Sequence, residues 1–434
     1  MAGALARTLA AQQPEGDEAR AAYERVLAAD STAFLANLRL GILLSRRGKT
    51  DSALALIARA RRSQPTDVEA RLAEARAMAW GRRFDTAIAR YDSVLATEPR
   101  NPDALAGLGY VYHWKGREGT AERYARAALA ADSAHQGARE LRDAVRAATR
   151  PSTELSATWN NDSDDNTSFW QTLGGSAPLG SGLRVFGNAG ALEASDPVRN
   201  ATRVGGEAGL SWTVGNVQLA GAAGARRLNP DIAPARTAGT YRGRAGWRAG
   251  PGFGVSVGYA RYPFDDIASL MERDIDVEAL EAGFDAATTR GLSGYGAGGR
   301  MWLSDGNHRT DVGAGVTQAI SGGVFVGAYG RTLTYERRGL GYFSPDRFRL
   351  LEGQAGYALA SGPWDGRLSG GLGAQQIGRA GATQNEWHLD LRLGRRWGTG
   401  NRFDLFGTIT NSAASSTSGA FRYRTAGVSL RLGI

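Results

Sequence analysis

The chain has 434 residues, no cysteine and a formal net charge of +9. The missing cysteines exclude a disulfide framework and thiolate chemistry, and no run approaches the roughly 20 consecutive apolar residues of a membrane-spanning helix. Sixty glycines, most of them after residue 170, are too many for an all-helical protein.

Residues 1–13 lack a charged start followed by a long apolar stretch, so they do not read as a secretion signal. A chain exported to an outer membrane is then expected to begin after cleavage or to have its true start upstream. Residues 1–150 are rich in Ala, Arg, Leu and Glu with helical apolar spacing. A 34-residue period runs through them: Pro65 and Pro99, then Ala53, Ala87 and Ala121, with Leu40-Gly41 and Leu108-Gly109 two periods apart. This pattern resembles the tetratricopeptide repeat (TPR), a pair of helices that approach closely at small residues. Three repeats are expected from about Thr32 to Ala134, with a degenerate one before them. The middle repeat departs from the pattern, carrying Glu74-Ala75 in place of Leu-Gly. The first helix of each pair is expected to line a concave face carrying Arg46, Arg76, Trp80, Tyr110, His113 and Trp114. Aromatic rings beside arginine suit a sugar ring or a peptide partner; the plainer alternative is that Tyr110 and Trp114 pack on neighbouring structure.

From Glu154 to Ile434 short alternating segments are separated by turns that are alternately tight and loose. The tight ones are Pro178–Gly182, Val214–Asn216, Arg248–Gly252, Ile320–Gly323, Ala360–Pro363 and Gly398–Asn401; the loose ones include Arg227–Gly239, Tyr262–Asp274 and Arg337–Asp346. Outer-membrane β-barrels have this asymmetry, with short periplasmic turns and longer outer loops. In Glu386–Trp397, Trp387, Leu389, Leu391 and Leu393 oppose Glu386, His388, Asp390 and Arg392. Successive strand residues point to opposite faces, so one face is apolar and the other charged. Sixteen strands are predicted: 153–161, 167–177, 182–193, 201–213, 216–226, 238–248, 252–262, 275–286, 290–303, 307–319, 323–336, 346–359, 363–376, 383–397, 401–412 and 419–434. An even count places both ends of the barrel on the periplasmic side, and about 16 strands leave an aqueous channel. Trp159, Trp212, Trp247, Trp387 and Trp397 fall near strand ends, as an interfacial aromatic belt requires. The fold class is therefore α+β in two domains: a TPR-like helical solenoid over 1–150, placed in the periplasm, and a transmembrane antiparallel barrel over 151–434.

The predicted pore lining is Glu207, Arg242, Arg244, Arg248, Asp276, Glu278, Glu352, Gln354, Glu386, His388, Asp390, Arg392, Arg396, Asp404 and Arg431. Both signs are present, which suits hydroxyl-rich cargo; alternatively the charges pair among themselves to hold the wall. Strand eight breaks phase between Glu278 and Glu281, which predicts a bulge near Ala279. The arginines alternate along strands instead of clustering, so nucleic acid is not expected as a partner. Asp162-Ser-Asp-Asp165 lacks the glycine and glutamate of a calcium loop. No metal or cofactor is expected, and no Ser-His-acid arrangement is recognisable among the four histidines, so the chain is not read as an enzyme.

Gly339-Leu-Gly-Tyr-Phe-Ser-Pro-Asp-Arg-Phe348 resembles the Tyr-Phe-Ser-Pro-Gln-Xaa-aromatic signature in the C-terminal domain of the C-type export proteins of bacterial cellulose synthase, with Asp346 where that family has Gln. That family joins TPRs to an outer-membrane barrel that exports the polysaccharide, and the β-1,6-N-acetylglucosamine export porin has the same layout. The resemblance implies an outer-membrane pore for an exopolysaccharide, cellulose-like or based on amino sugars. It further implies repeats that dock the polymer, the inner-membrane synthase complex or periplasmic proteins. Tyr342, Phe343, Ser344 and Pro345 carry the motif: Pro345 stiffens the turn, while Tyr342 and Phe343 either stack on sugar or anchor the loop inside the wall. The repeat region is shorter than in that family, and the last residue is Ile434 where such barrels commonly end in Phe. No phosphate-binding Gly-Lys-Ser/Thr loop is present, so transport would be passive. The alternative is an envelope scaffold or assembly protein whose barrel is mainly an anchor.

Overall fold

Eight helices form between Asp17 and Thr149 among the residues that the computed structural model describes, 17–249, 252–288 and 291–434. They are α1 (Asp17–Ala29), α2 (Phe34–Arg46), α3 (Thr50–Ser63), α4 (Val68–Trp80), α5 (Phe84–Leu95), α6 (Pro102–Trp114), α7 (Glu118–Ala131) and α8 (Gln136–Thr149). Side-chain caps set two of the starts: Asp67 accepts from the Ala70 amide at 2.7 Å and Asn101 from the Ala104 amide at 2.9 Å. The 34-residue period is visible in the backbone, since Gly48, Arg82 and Gly116 all take positive φ after the first helix of their pair. It is visible in the packing too: Ala53, Ala87 and Ala121 are completely buried, and a Cβ on Gly109 would collide with Leu141. Glu74 replaces the leucine of the other repeats because it is paired, accepting from Arg61 and lying 3.4 Å from Arg90.

The chain divides into two units between Ala148 and Thr149. The second unit is a closed barrel of 16 antiparallel strands in consecutive order, with the last paired to the first. The strands are β1 (Ser152–Asp162), β2 (Thr167–Gly180), β3 (Leu183–Asp196), β4 (Arg199–Val214), β5 (Val217–Pro230), β6 (Arg236–Ala249), β7 (Phe253–Pro263), β8 (Asp276–Ala287), β9 (Leu292–Leu303), β10 (His308–Ala319), β11 (Val324–Tyr335), β12 (Phe348–Ser361), β13 (Trp364–Ile377), β14 (Thr383–Trp397), β15 (Asn401–Thr410) and β16 (Tyr423–Gly433). Closure leaves no sheet edge, as a barrel surrounded by lipid requires. The sixteen predicted strands all exist. The predicted behaviour of residues 1–13, the centre of the Arg248–Gly252 turn and Arg290 at the start of the predicted ninth strand lie outside the described residues.

Residues opposite one another in an antiparallel ladder share a face, so register carries each face around the barrel. Leu155 opposes Leu173 and Leu430, and Leu391 opposes Leu368. Leu155, Leu173, Leu368, Leu391 and dozens of similar apolar side chains are exposed on the outside. A surface of that extent is what a bilayer solvates. Trp212, Trp247, Trp364 and Trp397 ring the tight-turn end, while Trp159, Phe169 and Trp387 lie toward the other end.

Two loop expectations are corrected. Arg227–Gly239 is not a long loop, because β5 runs to Pro230 and β6 begins at Arg236. The segment between β15 and β16, Asn411 to Arg422, is instead one of the three long loops, its serines tied to Asp162 by Ser416 at 2.6 Å and Ser418 at 3.0 Å. The segment between β7 and β8 carries a one-turn helix, α9 (Ala268–Met271). All three long loops lie at the end of the barrel opposite the start of β1 and the end of β16.

Candidate functional site

The inward face of the barrel is fixed by the same registers. Inward residues are even-numbered on β1, β2 and β3, odd on β4, and so on around the wall. By this rule Glu207, Arg242, Arg244, Arg248, Glu352, Gln354, Glu386, His388, Asp390, Arg392, Arg396, Asp404 and Arg431 face the lumen.

Asp276 and Glu278 do not. The β7–β8 ladder runs without a register shift, so there is no bulge at Ala279. Glu278 opposes Arg261 on the same face as Leu280 and Phe284, which is the outward face. There Glu278 accepts from the Tyr259 hydroxyl at 2.8 Å, and Asp276 lies 3.2 Å from Arg261 and 3.1 Å from Arg236. The inward neighbours are Val277 and Ala279, both buried. The phase break lies in which face is polar, not in the backbone.

The reason lies in the loops. Val277, Leu303, Leu333 and Phe348 point inward near the long-loop end and form one apolar cluster with Phe264, Ile267, Leu270, Ile275 and Tyr342 from two loops. A second cluster joins Ala268 and Met271 of α9 to inward-facing Leu192, Ala194, Ala201 and Leu228. The loops thus fold into the mouth of the barrel and bury apolar side chains where the alternation rule expected water. Asp265, 1% exposed, fastens the first loop to the wall: it lies 2.8 Å from Arg203 and 3.0 Å from Arg226. The Tyr-Phe-Ser-Pro motif is an anchor in this assembly. Tyr342 is buried, its hydroxyl 2.8 Å from both Asn307 and Asp305, and burial pushes that hydroxyl well above its ordinary pKa. Phe343 meets Phe348 edge-on, and its amide donates to Thr417 of the third loop. The Ser344 hydroxyl accepts from the Gly339 amide at 2.6 Å, and the Pro345 carbonyl accepts from the Tyr335 amide at 3.0 Å.

Toward the tight-turn end the lumen is charged and most of its charges are paired. Glu207 accepts from Arg242 and from Asn188. Asp404 is held by Arg402 at 2.6 Å and lies 3.4 Å from Arg392, while Asp365 pairs with Arg402 and Arg396. Arg248 makes a two-point pair with Asp285, Arg244 donates to Ser256, and Arg431 lies near Ser152. Nearer the loops, Glu352, Gln354, Glu386, His388 and Asp390 gather on β12 and β14, with Glu352 2.9 Å from His388 Nδ1.

One lumen feature is absent from the predicted set. A groove of about 560 Å³ runs along the inward faces of β1 to β6, bounded by Trp170, Phe186, Glu207 and Arg242 and reaching Arg203 and Arg226 beneath the loops. Inward-facing Gly174, Gly190 and Gly205 form part of its floor. The Arg203 guanidinium sits 4.7 Å from the Trp170 ring, and that of Arg242 5.8 Å from Phe186. The volume is within the ~300–1,000 Å³ typical of small-ligand clefts. Trp170 escaped notice because Phe169 beside it is also aromatic, which blurs the polar–apolar alternation of β2.

On the helical unit Trp80 and Trp114, 34 residues apart, are both exposed, at 41% and 37%. Trp114 lies 6.3 Å from the Phe84 ring and 5.7 Å from Tyr110, and Tyr110 packs against the buried cluster around Leu141. Arg76 pairs with Asp103, and His113 Nδ1 lies 2.7 Å from Glu118. Arg46 occupies the place in its own repeat that Trp80 and Trp114 hold in theirs. Of the predicted face, Arg46, Trp80 and Trp114 are exposed.

No family model and no curated protein matches the chain. Solved structures do. A bacterial polysaccharide outer membrane secretin is similar at 13% identity with a TM-score of 0.52, the match covering 66% of this chain and 99% of that one. The Pseudomonas aeruginosa protein OccK3 (OpdO) aligns over 66% of this chain and 95% of that one at 13% identity and a TM-score of 0.37. MamA of strain MSR-1 aligns over 32% of this chain and 80% of that one at 20% identity and a TM-score of 0.27. The first likeness shows the fold: the second unit is a barrel of the outer-membrane type.

Proposed function

We propose that the barrel is an outer-membrane conduit for an exopolysaccharide, cellulose-like or built of amino sugars. The observation that carries this reading is the groove along β1 to β6. It combines aromatic rings (Trp170, Phe186) with donors and acceptors of both signs on a smooth glycine floor. A sugar ring needs both an apolar face to stack on and dense hydrogen bonding for its hydroxyls, and a moving polymer needs a wall without obstacles. The similarity to the polysaccharide secretin supports the same choice. The chain's own residues supply a path and no driving force, so the polymer would be pushed by its synthase. The helical unit would lie in the periplasm, with Trp80 and Trp114 docking the polymer, the synthase complex or another periplasmic protein. The exported polymer is the cargo in this reading, and no chemistry is performed on it.

The loops in the outer mouth favour a second reading, in which the barrel anchors a scaffold for other envelope proteins. Conductance of the purified barrel in a planar bilayer separates the two. Export predicts a steady conductance that cello-oligosaccharides or oligo-glucosamines block, with the block weakened about 2- to 10-fold by Trp170→Ala, the worth of one aromatic contact. A barrel that stays closed, or conducts without regard to either sugar, rejects export in favour of the anchor.

A further inference from the structure

The geometry points to a divalent transition-metal site in the barrel wall, formed by Glu352 of β12 and by Glu386 and His388 of β14. One donor atom from each of the three lies within 4.8 Å of the others. Glu352 and Glu386 are 5% and 3% exposed, and Glu386 Oε2 has no hydrogen-bond partner. A carboxylate oxygen that is buried and unpartnered, and that converges on a second carboxylate, needs either a metal cation or a shared proton between them, and the histidine beside the pair favours the metal. Tetrahedral bonds of ~2.0–2.2 Å to nitrogen and oxygen set neighbouring donors roughly 3.3 Å apart. His388 Nδ1 and Glu352 Oε2, at 2.9 Å, already stand near that spacing. A small swing of the long Glu386 side chain completes a three-ligand shell.

The surroundings are built for these three side chains. A metal-binding imidazole normally turns its other nitrogen to a carboxylate that fixes its orientation. His388 Nε2 lies 3.4 Å from Asp390, which is itself held by the Thr408 hydroxyl at 2.6 Å. Gln354 donates to Glu352 Oε1 at 2.7 Å, and Thr410 donates to Glu386 Oε1 at 3.4 Å. Each carboxylate therefore has one oxygen occupied by the wall and the other turned to the cluster. Between the two ligand strands, β13 has Gly371 and Gly373 facing inward. A Cβ on Gly371 would strike the His388 ring and stand 2.9 Å from Glu352 Oε2. Two carboxylates and one imidazole suit zinc or manganese rather than copper(I) or calcium. The metal would tie β12 to β14 across the glycines, just below Phe348 and Ile377 of the loop cluster. This inference is independent of what the lumen carries.

The test uses the full chain, without an affinity tag, folded in detergent and stripped with a chelator. It is titrated with Zn²⁺ and passed through gel filtration before elemental analysis. The expected result is one zinc per chain, retained on the column and accompanied by a rise in unfolding temperature. Glu386→Gln and His388→Gln should each weaken binding at least tenfold. His308→Gln, on the outward face of β10, should leave it unchanged. Co²⁺ in place of zinc should give the visible d–d bands of a low-coordinate site, lost in the same two variants. Less than one zinc after the column, or binding that survives both substitutions, overturns the proposal and leaves a proton shared between the two carboxyl groups. Should the variants fail to fold, the stoichiometry and cobalt spectrum of the unsubstituted chain decide alone.

Discussion

The two ends of the barrel obey the same geometry and different chemistry. Near the tight turns the inward residues are charged: Arg242, Arg248, Asp365, Arg392 and Asp404. Near the long loops the inward face also carries the apolar Val277, Leu303, Leu333 and Phe348 beside buried ion pairs such as Arg203–Asp265 and Arg331–Asp311, while on β7 and β8 the charges, Arg261, Asp276 and Glu278, are outside. Strand β8 crosses from one regime to the other within a few residues, since inward Asp285 lies at one end and inward Val277 at the other. Alternation in a strand reports two faces. It does not report which face is wet, because that depends on what else the chain brings to each face.

This contrast can be broken at its fastening point. Asp265→Ala leaves Arg203 buried without its partner, a change that typically costs about 3–5 kcal/mol. It should release the α9 loop, seen as rapid proteolysis between β7 and β8 while the barrel still resists heat in detergent. An uncleaved loop would mean that the apolar clusters alone hold the mouth. The next largest effect compares two positions on one strand. Phe348→Ala, inward and completely buried, leaves a cavity and should cost about 3–5 kcal/mol. Leu351→Ala, outward and 68% exposed, leaves none and should cost about 2 kcal/mol at most, the transfer contribution of its lost methylene groups. Unfolding titrations in detergent measure both, and equal losses would refute the inward loop packing. The smallest effect is at the corrected position. Glu278→Gln keeps an acceptor for Tyr259 on the outward face, so it should change stability by about 0.5 kcal/mol or less. It should leave conductance and ion selectivity unchanged; a shift in selectivity would return Glu278 to the pore.

The glycines show the same dependence on context. In the helical unit Gly109 permits close helix contact, with no room for a Cβ beside Leu141. In the barrel Gly371 leaves room for His388 and Glu352, and Gly190 and Gly205 smooth the groove. The residue type is the same, and the neighbour that needs the space differs each time. A 34-residue period announces the first use. Nothing local announces the others.

The sequence by itself determined the two-part architecture, the helix pairs, sixteen strands and the inward direction of most of the lining residues. These follow from periods of 34 and 2 and from turn chemistry, which are properties of neighbours along the chain. Tertiary structure alone decided the destination of the long loops, and with it the sidedness of Asp276 and Glu278. It also decided that Trp170 and Phe186 share one groove, and that Glu352 meets Glu386 and His388 across a glycine strand. Those contacts join residues tens of positions apart, and closure of the barrel sets which distant strands and loops meet. A local pattern carries no information about such partners.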